Sequence, residues 1–154
     1  LKIFADAYTP VVDSSAIPTG EIASVEGTPM DFRTEKQIGQ DIRADFEQLH
    51  FTGGYDHNYV LGRPGEKKIM ANAYCRESGI ALEAETDCCG VQFYAGNFIG
   101  EQTGKGGAAY HDRSAFCLES QFYPNAVNEP DFPSPVVKAG DTYHTETSYR
   151  FYLR

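Results

Sequence analysis

Apolar and polar residues alternate at period two in several short stretches of this chain: Met70 to Tyr74, Ile80 to Glu85, Val91 to Ala95, Ala115 to Gln121, and a longer one from Thr142 to Leu153. Period two sends successive side chains to opposite faces of an extended backbone, so each stretch predicts a β-strand. In the last, Tyr143, Thr145, Thr147, Tyr149, Phe151 and Leu153 share one face, and His144, Glu146, Ser148 and Arg150 share the other. That division predicts a half-buried strand. Leu1 to Tyr8 also reads as a strand. Between these runs lie turn clusters such as Arg63-Pro64-Gly65, Gly104-Lys105-Gly106-Gly107 and Pro130 to Pro135, spaced as an antiparallel sandwich or barrel requires. One segment carries the helical period: Ile38, Ile42, Phe46 and Leu49 recur at steps of four, four and three. Gly39 inside it costs roughly 1 kcal/mol against alanine, so the expectation is one short or distorted helix in a mainly β chain.

Composition narrows the class. The 154 residues are 41% hydrophobic and 13% aromatic, enough for one domain with a core, or part of one. No internal repeat, low-complexity tract or linker divides them. With 22 acidic against 13 basic residues the net charge is −9, which repels phosphate backbones, so nucleic acid is not an expected partner. No apolar run approaches the ~20 residues of a membrane helix, and no membrane partner is expected. The strand pattern begins at Leu1 with no charged or apolar leader, which predicts a domain begun midway. The four cysteines, Cys75, Cys88, Cys89 and Cys117, are sparse and include an adjacent pair poorly suited to bridging. They predict free thiols in a reducing, cytoplasmic setting.

Motif chemistry excludes more than it includes. Gly100 to Gly107 approaches a phosphate loop, but its first glycine is one residue too close and no Ser or Thr follows Lys105; a hairpin loop is the plainer reading. His50, His57, His111 and His144 show no short ligand spacing and the cysteines form no C-x-x-C pair, so neither a metal nor another cofactor is expected. No G-x-S-x-G elbow offers a serine nucleophile. Polar residues set among apolar ones remain. Glu119 alternates with Leu118 in Phe116 to Phe122, and is either the wet side of a half-buried strand or a carboxylate aimed into a pocket. Asp56, after Gly53-Gly54, is either a turn residue capping local amides or a ligand contact. Gln92 interrupts Val91 to Tyr94 at either an edge or a binding position.

Taken together these segments resemble the aldose 1-epimerase (galactose mutarotase) family, in the family's chain order. Ala5 to Pro10 with Ile17-Pro18-Thr19-Gly20-Glu21-Ile22 is similar to its YTPVD…IPTGEI segment, one residue longer at Val11-Val12. Val25 to Arg33 is similar to VEGTPFDFR, Gly54 to Asn58 matches GYDHN, Gly90 to Phe98 is similar to GVQFYTGNF, and Phe116 to Gln121 is similar to FCLETQ. Pro124-Asn125-Ala126-Val127-Asn128 follows as in the family. Cys88-Cys89 departs where the family often has Pro before Gly90. The resemblance implies an antiparallel β-sandwich longer than this chain, of which residues 1–154 are the C-terminal part of a single domain and the N-terminal part is absent. It implies a hexose substrate, Glu119 as the general base at the anomeric hydroxyl, and Asp56 and Gln92 as hydrogen-bonding partners of the ring hydroxyls. A carboxylate suits such a base because it is ionised at neutral pH. The acid histidine, a second histidine and an arginine belong to upstream segments, so the chain alone is expected to be inactive. A non-catalytic carbohydrate-binding sandwich is the alternative. An epimerase for phosphorylated sugars ranks below both, since only Lys67-Lys68 offers adjacent cations.

Overall fold

The structure, a computed structural model, describes residues 1–154. It contains strands β1 (Lys2–Ile3), β2 (Ala7–Tyr8), β3 (Ala23–Ser24), β4 (Asp56–Val60), β5 (Lys68–Tyr74), β6 (Ile80–Thr86), β7 (Gly90–Tyr94), β8 (Gln102–Thr103), β9 (Ala109–Tyr110), β10 (Cys117–Gln121) and β11 (Thr147–Leu153), with one helix, α1 (Glu47–Phe51). One sheet runs β1-β5-β6-β11, a second runs β10-β7-β4-β2-β3, and β8 and β9 form a separate hairpin. All pairings are antiparallel. The glycines from Gly104 to Gly107 turn that hairpin through a single 3₁₀ turn at Lys105–Gly107, so they form a loop as the mismatched phosphate motif suggested. No helix is long and apolar enough to cross a membrane.

The two sheets share one core. Ile3, Met70, Ala71 and Ala84 from the first meet Tyr8, Tyr59, Val91, Phe93 and Leu118 from the second, with Val25, Met30, Phe32, Ile42 and Leu49 filling from the connections. The rings of Phe32, Tyr55 and Phe93 stack edge-on and offset with centroids 5.0 to 5.4 Å apart, the separations aromatic quadrupoles favour. Tyr55 and Tyr59 donate their hydroxyls to the carbonyls of Pro29 and Met30, each at 3.0 Å, so the large rings are buried without orphaning their polar ends. This is the antiparallel β-sandwich that the family resemblance implies, and one of the two architectures, sandwich or barrel, that the strand and turn pattern allows.

Several expectations need correction. The stretch Leu1 to Tyr8 is not one strand, because the chain leaves the first sheet after β1 and joins the second at β2. The helical period from Ile38 to Leu49 yields helix only at Glu47–Phe51. Upstream, Gln40 and Ala44 donate to carbonyls three residues back, Gln37 and Asp41, which makes successive turns. Ile42 and Leu49 reach the core all the same, with Ile38 and Phe46 packed against it. The strand predicted from Thr142 starts at Thr147 and is not half buried. Phe151 is 69% and Leu153 81% exposed, since β11 is an edge strand paired only with β6. Asp56–Val60, read above only for its polar residues, is a full strand between β7 and β2.

Candidate active site

The register of the second sheet builds the site. Asn58 of β4 stands opposite Gln92 of β7, and Gln92 stands opposite Glu119 of β10. Asp56 stands opposite Tyr94, which faces Cys117. Residues two apart share a face, so Asp56, Asn58, Gln92, Tyr94, Cys117, Glu119 and Gln121 project from one side. His57, Tyr59, Val91, Phe93 and Leu118 project from the other, into the core. Asp56, Gln92 and Glu119, distant in sequence, are therefore brought together on three adjacent strands.

Gln92 Nε2 donates to Asp56 Oδ1 at 2.8 Å, a bond to a carboxyl group and so of the stronger kind when that group is ionised. That contact uses one carboxylate oxygen of Asp56 and one amide proton of Gln92. The other oxygen and the other proton are free for a polyol: one acceptor beside one donor suits a sugar hydroxyl, which is both. Glu119 is exposed on the open face, so the carboxylate lies on an uncovered sheet and not in a closed pocket. Partial burial, and then the nearby charges of Glu119 and Asp56, push the Cys117 thiol above its ordinary pKa. The same order of causes, burial and then Glu119, raises Tyr149.

The loop before β4 is pinned from the connection that follows β7. Asn97 Nδ2 donates to the carbonyls of Thr52 and Tyr55 at 3.2 and 3.0 Å, and its amide fills the space where a Cβ on Gly54 would stand, 2.3 Å from Asn97 Oδ1. Gly54 also has φ +140, a region only glycine enters at low cost. Both constraints fix where Asp56 begins its strand.

His57 stays out of the chemistry. It is fully buried, its Nδ1 accepts the Asp56 backbone N–H at 3.2 Å, and burial lowers its pKa to about 4, so it is neutral at pH 7. No group of three or more His, Cys, Asp and Glu side chains is placed to hold a metal. Sequence reasoning left out Asn58 and Gln121; counting two residues onward from Asp56 and from Glu119 locates both.

Comparison with known proteins identifies the family. The Aldose 1-epimerase family model matches residues 1–150. The chain belongs to the aldose 1-epimerase family. It is 45% identical over 152 residues to the galactose mutarotase of Sus scrofa, covering 98% of this chain and 43% of that protein. It is 37% identical over 154 residues to the aldose 1-epimerase of Escherichia coli (strain K12), covering 98% and 44%. Among solved structures, a GalM/aldose epimerase homologue from C. elegans superposes with a TM-score of 0.82 at 30% identity, over 99% of this chain and 45% of that one. A galactose 1-epimerase from Lactobacillus acidophilus, at 21% identity, shares the fold with a TM-score of 0.67. The chain thus spans less than half the length of these relatives.

Proposed function

We propose that these residues carry the base side of a mutarotase site that interconverts the α and β anomers of hexoses such as galactose and glucose. The observation that carries the reading is the shared face of Asp56, Gln92 and Glu119 on β4, β7 and β10. Glu119 takes the proton of the anomeric hydroxyl as the bond from C1 to the ring oxygen breaks. An acid outside these residues protonates the ring oxygen. Rotation about C1–C2 and reclosure from the other face, with the protons returned, give the opposite anomer. Asp56 and Gln92 hold ring hydroxyls while this happens. No metal or other cofactor takes part.

Coverage of less than half of each relative fits a part of a longer fold; that this part is the C-terminal one of a single sandwich domain, with the acid histidine on an N-terminal part outside residues 1–154, follows from the family resemblance of its motifs. The four free thiols, Cys75, Cys88, Cys89 and Cys117, fit a cytoplasmic enzyme. The test is polarimetry of freshly dissolved α-galactose with the full-length enzyme that contains these residues. Glu119→Gln keeps size and hydrogen bonding but removes the base, and is expected to lower kcat by roughly 10²- to 10⁴-fold with sugar affinity kept. Unchanged mutarotation in that variant overturns the assignment. A carbohydrate-binding module without turnover predicts no enzymatic mutarotation in either protein.

A further inference from the structure

Gln121 lies two residues beyond Glu119 on the same face of β10, and its amide does more than fill space. Its Nε2 donates to Gln92 Oε1 at 3.0 Å and to Asn58 Oδ1 at 3.1 Å. Gln92 in turn donates from Nε2 to Asp56 Oδ1 at 2.8 Å. Side chains from β10, β7 and β4 thus form one hydrogen-bonded chain with a single polarity, running from Gln121 through Gln92 to Asp56, with Asn58 taking Gln121's second proton.

Gly90 makes the crossing possible. It stands between Val60 and Gln121 in the register, and a Cβ there would lie 2.3 Å from Asn58 Oδ1 and 3.0 Å from the Tyr123 ring. Bare backbone at this one position lets the side chains of β4 and β10 meet across β7. A glutamine amide has donor and acceptor ends of nearly equal size, so its orientation is decided by its neighbours. Turned over, Gln92 would set its carbonyl against the Asp56 carboxylate and its NH₂ against the NH₂ of Gln121. Two hydrogen bonds would become two like-with-like contacts, each leaving a half-buried group unpaired.

We propose that Gln121 is a positioning residue of the sugar site, locking the Gln92 amide with its donor end toward Asp56 so that the hydroxyl-reading edge keeps a fixed donor beside a fixed acceptor. The proposal rests on the reading that Asp56 and Gln92 hold the sugar. Gln121 acts through Gln92, and its loss weakens ground-state and transition-state binding together.

The experiment measures KM and kcat for α-galactose mutarotation in the full-length enzyme, with thermal unfolding of each variant. Gln121→Met keeps volume but donates nothing, and is expected to raise KM about 5- to 20-fold with kcat changed less than about threefold. Gln121→Glu, of nearly the same shape, offers only acceptors to Gln92 and Asn58. It is expected to raise KM further, by drawing the Gln92 donor away from Asp56. The deciding comparison is the Gln92→Met background, where Gln121→Met should have no further effect on KM. An unchanged KM in both Gln121 variants, or an effect that adds in full to that of Gln92→Met, overturns the proposal. If either Gln121 variant does not fold, the other carries the same comparison, and its additivity with Gln92→Met decides. Asp56→Ala measured alongside separates the two claims. If it leaves KM unchanged, the site reading fails and takes the proposal with it; if it raises KM while the Gln121 variants do not, the positioning role alone fails.

Discussion

At the scale of single residues, β4 sorts its polar side chains by face and not by polarity. Asp56 and Asn58 lie on the side of the sheet away from the core, Asn58 buried beneath its neighbours there, while His57 between them is fully buried in the core with its Nε2 unpartnered. An imidazole held there is stable only while neutral, which is why burial lowers its pKa from 6.5 to about 4. The unfolded chain takes up the proton first as pH falls. The stability owed to neutral His57 is therefore fully present above about pH 6.5, declines below it, and is lost by about pH 4, with a ceiling of about 3 kcal/mol. His57→Phe removes the titration. Urea unfolding midpoints at pH 7 and pH 4.5 should fall less for the variant than for the parent protein, whatever their values at pH 7. Identical falls would mean that His57 is not buried as described.

At the scale of elements, α1 has five residues, far below the length at which a helix stands alone in water. It is held by tertiary contacts. Gln48 is buried, and its side-chain amide pairs with the backbone of Val11 as a neighbouring strand would: Oε1 accepts the Val11 N–H at 2.7 Å and Nε2 donates to the Val11 carbonyl at 3.1 Å. Gln48→Ala would leave that N–H and C=O unpaired in a buried setting. The expected loss is about 2–4 kcal/mol in chemical denaturation; a loss below about 0.5 kcal/mol would show that water replaces the amide. The same dependence explains why the apolar positions at Ile38, Ile42, Phe46 and Leu49 were legible as a buried face while their helix was not. Core packing needs the apolar face, and turns anchored by Asp41 and by the Lys36–Asp41 ion pair at 2.8 Å present it without a continuous helix.

At the scale of the whole molecule, apolar side chains of the first sheet remain open to solvent, with Phe151 and Leu153 of β11 69% and 81% exposed. A cavity of about 430 Å³ is lined by Leu1, Ile38, Leu82, Phe116 and Phe151 among others, and β11 leaves its outer edge unpaired. Edges and apolar faces of this kind pair with whatever strand is available. The isolated 154 residues are therefore expected to self-associate by light scattering, and Phe151→Lys should reduce that association. On the proposed division of the site, with the acid outside these residues, they are also expected to show negligible mutarotation alone, since an acid–base reaction without its acid forfeits roughly 10²- to 10⁴-fold. Mixing or fusing an N-terminal part that carries the acid histidine should restore it. A monodisperse monomer with full activity would refute both expectations.

The sequence by itself determined the strands whose alternation is strong, β5, β6, β7 and β10, because a half-buried strand must write its two faces into period two. It also carried the family, through GYDHN, GVQFY and FCLE read in order. β4 was hidden because Asp56, His57 and Asn58 are poor strand formers taken singly, and pairing with β7 on one side and β2 on the other overrides that preference. β11 showed alternation without burial, since period two reports two faces and not what covers them. Only the tertiary structure decided that Glu119, Gln92 and Asn58 fall in one row, and that Gly90 clears the space in which Gln121 reaches across. Register is set by which strands pair, and a one-residue slip would have sent Glu119 to the core side and Leu118 to the open face.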